Sequence, residues 1–94
     1  MRRKYRQLGG ELHIVELNRD SSSGSLGLDL MAHGASLYVS AIDEGSLVAT
    51  DGRIRIGDEL LEVNGETIHK RPLHSATRAL AAVTSARVKF VLIR

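Results

Sequence analysis

The chain has 94 residues, 43% hydrophobic and 26% charged, with a formal net charge of +2. That composition supports one folded domain with a modest core and excludes a disordered chain. The absence of cysteine excludes disulfides, a thiolate nucleophile and cysteine-ligated metals.

In chain order, Arg2, Arg3, Lys4 and Arg6 form a basic cluster. It reads as a solvated linker over residues 1–10, with weak contact to an anionic membrane as the alternative and no nucleic-acid partner expected. No apolar stretch follows it, so no signal peptide is expected. Nowhere does an apolar run approach the about 20 residues that cross a bilayer. The folded domain is expected over residues 11–94.

After the Gly9-Gly10 break, residues 12–17 (LHIVEL) predict a first strand. Asp20-Ser21-Ser22-Ser23-Gly24 is loop chemistry, and Ser25-Leu26-Gly27-Leu28-Asp29-Leu30 follows it. Leu26, Leu28 and Leu30 recur with period 2, so in an extended chain their side chains leave one face. Gly27 lies between them with no Cβ, which allows an unusual turn or a close approach. Two readings fit this stretch: a buried strand after a serine-rich loop, or a loop whose amides point into an apolar hollow and hold an anion such as a peptide carboxylate.

The second strand runs to about Ala32, and the short link His33-Gly34-Ala35 requires antiparallel pairing with a third strand over residues 37–42. Residues 45–49 predict one helical turn, stopped by Asp51-Gly52. A strand over residues 59–63 closes at Asn64-Gly65, a strong hairpin signal, with residues 66–68 as the return strand. Pro72 opens a helix, where its missing N–H costs nothing. Leu73, Ala76, Ala79, Leu80 and Val83 place an apolar stripe on one face of that helix. Val88, Phe90 and Leu92 alternate along a last strand. Few aromatics are present, so Leu, Ile, Val and Ala must build the core. The fold class expected is α+β, mainly β: a small, partly open antiparallel barrel or sandwich of five to six strands, capped by two helices. If the second strand and the long helix are neighbours, they form a groove with an open strand edge.

Signs of catalysis are lacking. His13, His33, His69 and His74 show no metal-ligand spacing. The Gly24–Gly27 stretch has no nucleotide-loop pattern, and Ser21, Ser22 and Ser23 lack the context of a nucleophile elbow. Asp43/Glu44 and Asp58/Glu59 read as solvated turn acids rather than acid–base pairs. No enzyme and no cofactor are expected.

The run D-G-R-I-R-I-G-D-E-L-L-E-V-N-G over residues 51–65 resembles the central D-G-R-L-x-x-G-D-x-L-L-x-V-N-G run of PDZ domains. Ser25-Leu26-Gly27-Leu28 is similar to that family's carboxylate-binding loop, usually G-L-G-F. The opening G-E-L-H-I-V-E-L and closing V-K-F-V-L-I-R look most like domains from multi-PDZ scaffolds of tight junctions and photoreceptor complexes. The resemblance implies a non-catalytic adaptor, cytoplasmic at the membrane cortex or cell junctions, that binds C-terminal tails of receptors, channels or signalling proteins. It implies that the tail adds as a strand beside residues 28–32. Ser25, Leu26, Gly27 and Leu28 would hold its carboxylate, with Arg19 in support, although three serines lengthen the link from Arg19. Leu26, Leu28, Leu30 and Leu80 would line the pocket for the last side chain. Where many relatives begin the helix groove with histidine, the family's usual interval lands here on Leu73, with Thr77 one turn on, which favours hydrophobic-x-hydrophobic tails. His74 as selector, favouring Ser/Thr-x-hydrophobic tails, is the alternative register. Lipid binding, or pairing of the open edge with another PDZ domain or an internal hairpin, are the remaining alternatives. Phosphorylation of Ser21, Ser22 or Ser23 would oppose a nearby carboxylate.

Overall fold

A computed structural model describes residues 9–19 and 26–94. Six strands occur in it: β1 (Leu12–Asn18), β2 (Leu28–His33), β3 (Ser36–Ile42), β4 (Glu59–Val63), β5 (Glu66–Thr67) and β6 (Arg87–Ile93). Helix α1 (Leu47–Asp51) joins β3 to β4, and α2 (Leu73–Ala81) joins β5 to β6. The sheet order is β1-β6-β4-β3-β2, with β5 paired to β4, and every pairing is antiparallel. The mainly β, two-helix architecture expected from the pattern is therefore present as one open sheet.

Side-chain alternation decides which face is buried. Val15 and Leu17 of β1, Leu37 and Val39 of β3, and Val88, Phe90 and Leu92 of β6 enter one core with Leu60, Ile68 and Ala76. Phe90 is fully buried and is the core's largest side chain. Two residues on the other face of β6 are also buried: Val91 and Ile93 join Leu61 in a second, smaller cluster, with Leu12 packed against it. A central strand has two faces to cover, so the simple alternation expected for the last strand holds for only one of them. Ala76 has no exposed surface, and its small side chain lets α2 lie close on the core, where Ala79, Leu80 and Val83 are partly buried. Leu73 departs from the expected stripe: it begins the helix, no preceding turn covers it, and it is 37% exposed.

The turns follow local chemistry. Asn64 and Gly65 both have positive φ, 50° and 80°, the primed turn that matches strand twist. The Asn64 carboxamide oxygen also accepts from the Lys89 N–H at 2.7 Å, which ties the hairpin tip to β6. Ser46 caps α1, its Oγ accepting from the Ala49 N–H at 3.2 Å, so the helix begins at Leu47 rather than Gly45. Gly52 ends it with φ 82°, its N–H donating to the Val48 carbonyl.

Asp58 and Glu59 correct the expectation of solvated turn acids, since they are only 2% and 9% exposed. Arg94 donates to both Asp58 carboxylate oxygens at 2.9 Å, and the Arg55 N–H donates to Oδ2 at 2.9 Å. Burial pushes the Asp58 carboxyl up, but the hydrogen bonds from Arg94 and the Arg55 amide outweigh it and hold the group below the usual carboxylate range. Glu59 faces His69, with Oε2 and Nδ1 3.5 Å apart. Asp43 and Glu44 are exposed, as expected.

Candidate functional site: a groove between β2 and α2

The groove begins where the chain enters β2. Gly27 is buried with φ +97°, a conformation that L side chains rarely adopt. A Cβ there would collide with the side chain of Ser46. The Gly27 carbonyl accepts from the Asp43 N–H at 2.7 Å, and the Ser46 N–H donates to the Asp43 carbonyl at 3.1 Å. The entry loop is thus braced against the cap of α1. Leu26 is 6% exposed and turns its side chain into the core. Among the described residues, no carbonyl accepts from the N–H of Leu26 or of Gly27. Buried backbone donors are nearly always paired, so two open amides at one end of a groove suit an anionic acceptor.

From there β2 runs as an edge strand, bonded among the described residues to β3 alone. The register shift between Asp29 and Leu30 leaves Ser40 as the extra residue on β3, so the alternation of β2 itself is unbroken. Leu28 and Leu30 are half-buried and turn inward, while Asp29, Met31 and His33 are exposed. Opposite them lies α2. A cavity of about 570 Å³ opens between the two elements, lined by Leu26, Leu28, Asp29, Leu30, Thr77, Leu80 and Ala81. The four leucines singled out in the sequence therefore meet in one place. Asp29 and Ala81 also line the cavity and were not singled out. Ala81 follows Thr77 by four residues on the same helix face, which was the available signal.

The remaining candidates lie as follows. Ser25 and Ser21–Ser23 fall outside the described residues, as does the basic cluster before Gly9. Arg19 is at the end of β1, where its Nη2 and Nε donate to the carbonyls of Val83 (2.7 Å) and Ser85 (3.0 Å). Its own N–H donates to the Ala86 carbonyl, so this residue fastens β1 to the connection following α2. Leu73 and His74 are both exposed on the first turn of α2, and neither is among the cavity-lining residues. Among the described residues no group of His, Asp or Glu side chains could hold a metal. No helix there is long and apolar enough to cross a membrane.

An edge strand facing a helix across a leucine-lined cavity defines the class of fold, a small open antiparallel sheet with a groove between strand and helix. The chain belongs to the PDZ domain family, whose model matches residues 14–93. It is 41% identical over its whole length to the InaD-like protein of Canis lupus familiaris and 36% identical to the Multiple PDZ domain protein of Homo sapiens. It spans about 5% of the length of each of these relatives. Among solved structures, MUPP1 PDZ4 superposes with a TM-score of 0.83 at 24% identity, covering 97% of this chain and 84% of that one. Dlg1 PDZ2 of the choanoflagellate Monosiga brevicollis gives 0.76 at 23% identity, covering 89% and 99%. The domain is a non-catalytic protein-interaction module of the kind found in multi-PDZ proteins.

Proposed function

We propose that this domain captures the free C-terminal tail of a partner protein by adding it as an antiparallel strand to the edge of β2. The amides of Leu26, Gly27 and Leu28 receive the terminal carboxylate, with Ser25 at the same loop. Arg19 supports the site through its hold on the connection after α2. The last side chain enters the cavity between Leu26, Leu28, Leu30 and Leu80. The observation that carries this reading is that, among the described residues, no carbonyl accepts from the Leu26 and Gly27 amides, where Leu26 lines a leucine-rich cavity beside an edge strand.

Helix geometry supports Leu73 rather than His74 as the residue facing the tail's third-from-last position. At about 100° per residue, Leu73 lies roughly 33° from the mean direction of Thr77, Leu80 and Ala81, and His74 about 67° from it. An apolar residue at that position packs on Leu73 and Thr77, so tails ending hydrophobic-x-hydrophobic are preferred over Ser/Thr-x-hydrophobic ones. Affinity is micromolar, about −8 kcal/mol, because few side chains are buried and the tail must be ordered. The likeness to multi-PDZ proteins supports tails of membrane receptors, channels or junction proteins as partners, and a scaffold working at the cytoplasmic face of the membrane.

The test is a screen of C-terminal peptides with amide chemical-shift mapping of the best binder. Shifts concentrated at Leu26, Gly27, Leu28 and along β2 are expected. Shifts confined to other surfaces would overturn the reading.

A further inference from the structure

The connection between α2 and β6 is held by side chains from two distant parts of the chain, and Ser85 lies at the centre of that clasp. Its Oγ accepts from Nδ2 of Asn64 at 3.0 Å and donates to the Arg87 carbonyl at 2.7 Å. The Ser85 carbonyl accepts from Nε of Arg19 at 3.0 Å, and Nη2 of the same guanidinium reaches the Val83 carbonyl at 2.7 Å. Asn64 is itself fixed to β6 through the Lys89 N–H. The helix end held in this way carries Leu80 and Ala81, both of which line the groove cavity. Leu80 and Val83 also pack on the core.

Ser85 is nevertheless exposed, as are Thr84, Ala86 and Arg87, and residues 83–85 belong to no helix or strand. An exposed hydroxyl on an irregular surface segment is open to the active site of a modifying enzyme. The cations around it are Arg19 in contact, Arg87 two residues on and Lys89 four residues on. That pattern suits a protein kinase with an acidic substrate cleft. We propose that Ser85 is a phosphorylation site, and that its phosphate releases the clasp on α2 and lowers the affinity of the groove for a tail. In the transfer, the γ-phosphoryl group of ATP forms a bond to Oγ, the bond to the departing ADP breaks, and the hydroxyl proton passes to the kinase's base. The effect on affinity rests on the strand-addition reading above; the modification itself does not.

Phosphate changes the terms on which each partner meets Ser85. The ester oxygen has no proton to donate, so the bond to the Arg87 carbonyl is lost and that carbonyl then faces an anion. The group carries a charge of about −1.5 to −2, and charge-assisted hydrogen bonds are roughly twice as strong as neutral ones. It therefore draws the Arg19 guanidinium away from the carbonyls of Val83 and Ser85. The segment after α2 loses its side-chain fastening to β1, and the wall carrying Leu80 and Ala81 is no longer held in place. A tail must then order that wall as it binds, which costs affinity.

The experiment treats the full 94-residue chain with ATP and a panel of serine/threonine kinases that prefer basic substrates, and locates phosphate by tandem mass spectrometry. Phosphate at Ser85, absent from Ser85→Ala, is expected; phosphate at Thr84 alone, or none on the folded domain, overturns the site. Homogeneous protein carrying phosphoserine at position 85 is then compared with unmodified protein by calorimetry, using one free-acid tail peptide and its amide. Circular dichroism checks that every form is folded. Phosphorylation is expected to weaken binding of the free acid about five- to tenfold. Arg19→Gln is expected to weaken it by a similar factor and to reduce the further effect of phosphate to within about twofold, since the contact that phosphate breaks is already gone. An undiminished phosphate effect in Arg19→Gln overturns the clasp mechanism. If the free acid binds both forms equally and the amide binds more weakly, the switch is overturned and the groove reading stands. If no free tail binds either form, the groove reading and the switch fall together.

Discussion

Gly27→Ala tests how the carboxylate loop is held, because two separable costs meet at that residue. The first is backbone strain: an L side chain at φ +97° costs about 1–2 kcal/mol. The second is the collision of the new methyl with Ser46. Ser46 cannot retreat freely, since its Oγ caps α1 through the Ala49 N–H, and losing such a cap costs about 1 kcal/mol. The sum is a destabilisation of about 2–4 kcal/mol, which for a domain of this size lowers the Tm by roughly 8–30 °C. Ser46→Gly alone costs only a few tenths of a kcal/mol at a cap position and removes the side chain in the way. The double variant should therefore retain the strain and lose the collision, ending about 1–2 kcal/mol below wild type, with a favourable coupling of roughly 1–2 kcal/mol. Urea unfolding of the four proteins, with m unchanged, measures the cycle. Additivity to within about 0.5 kcal/mol would refute the bracing of the loop by Ser46.

Three further outcomes follow from the same geometry. Asp58→Asn should lose about 2–4 kcal/mol at neutral pH, because the acid is buried between Arg94 and the Arg55 amide. Its folded-state pKa is lowered, so its contribution is present above the ordinary value of 3.8 and is lost as pH falls through the folded one. The gap between wild type and variant should accordingly narrow below about pH 4 in pH-dependent urea melts. Leu80→Ala should weaken tail binding about tenfold, read by calorimetry, while costing less stability than Phe90→Ala, at about 3–5 kcal/mol, since Leu80 is only partly buried. Leu73→His should move the tail preference towards Ser or Thr third from the end in a peptide array, whereas His74→Ala should leave the preference unchanged.

Much of this site is local in sequence, and those parts could be read before the structure. The period-2 leucines, the glycine between them and the Asn64-Gly65 turn each act within a few residues of themselves. What could not be read depends on distant partners. Nothing near Asp58 announces that Arg94, 36 residues on, will grip it at the end of β6 and bury it. Nothing near Arg19 announces that its guanidinium also donates to the carbonyls of Val83 and Ser85, more than 60 positions away. Val91 and Ile93 were passed over because alternation assigns one buried face per strand, while on β6 the second face also packs, against Leu61 and Leu12.

The most direct measurement pairs one tight-binding peptide as the free acid with the same peptide as its C-terminal amide, titrated into the domain by calorimetry at fixed salt. The charge-assisted hydrogen bonds from the loop amides would become neutral ones, so amidation should weaken binding by at least about thirtyfold. Equal affinity of the acid and the amide would contradict carboxylate capture and direct attention to internal segments pairing with the edge of β2.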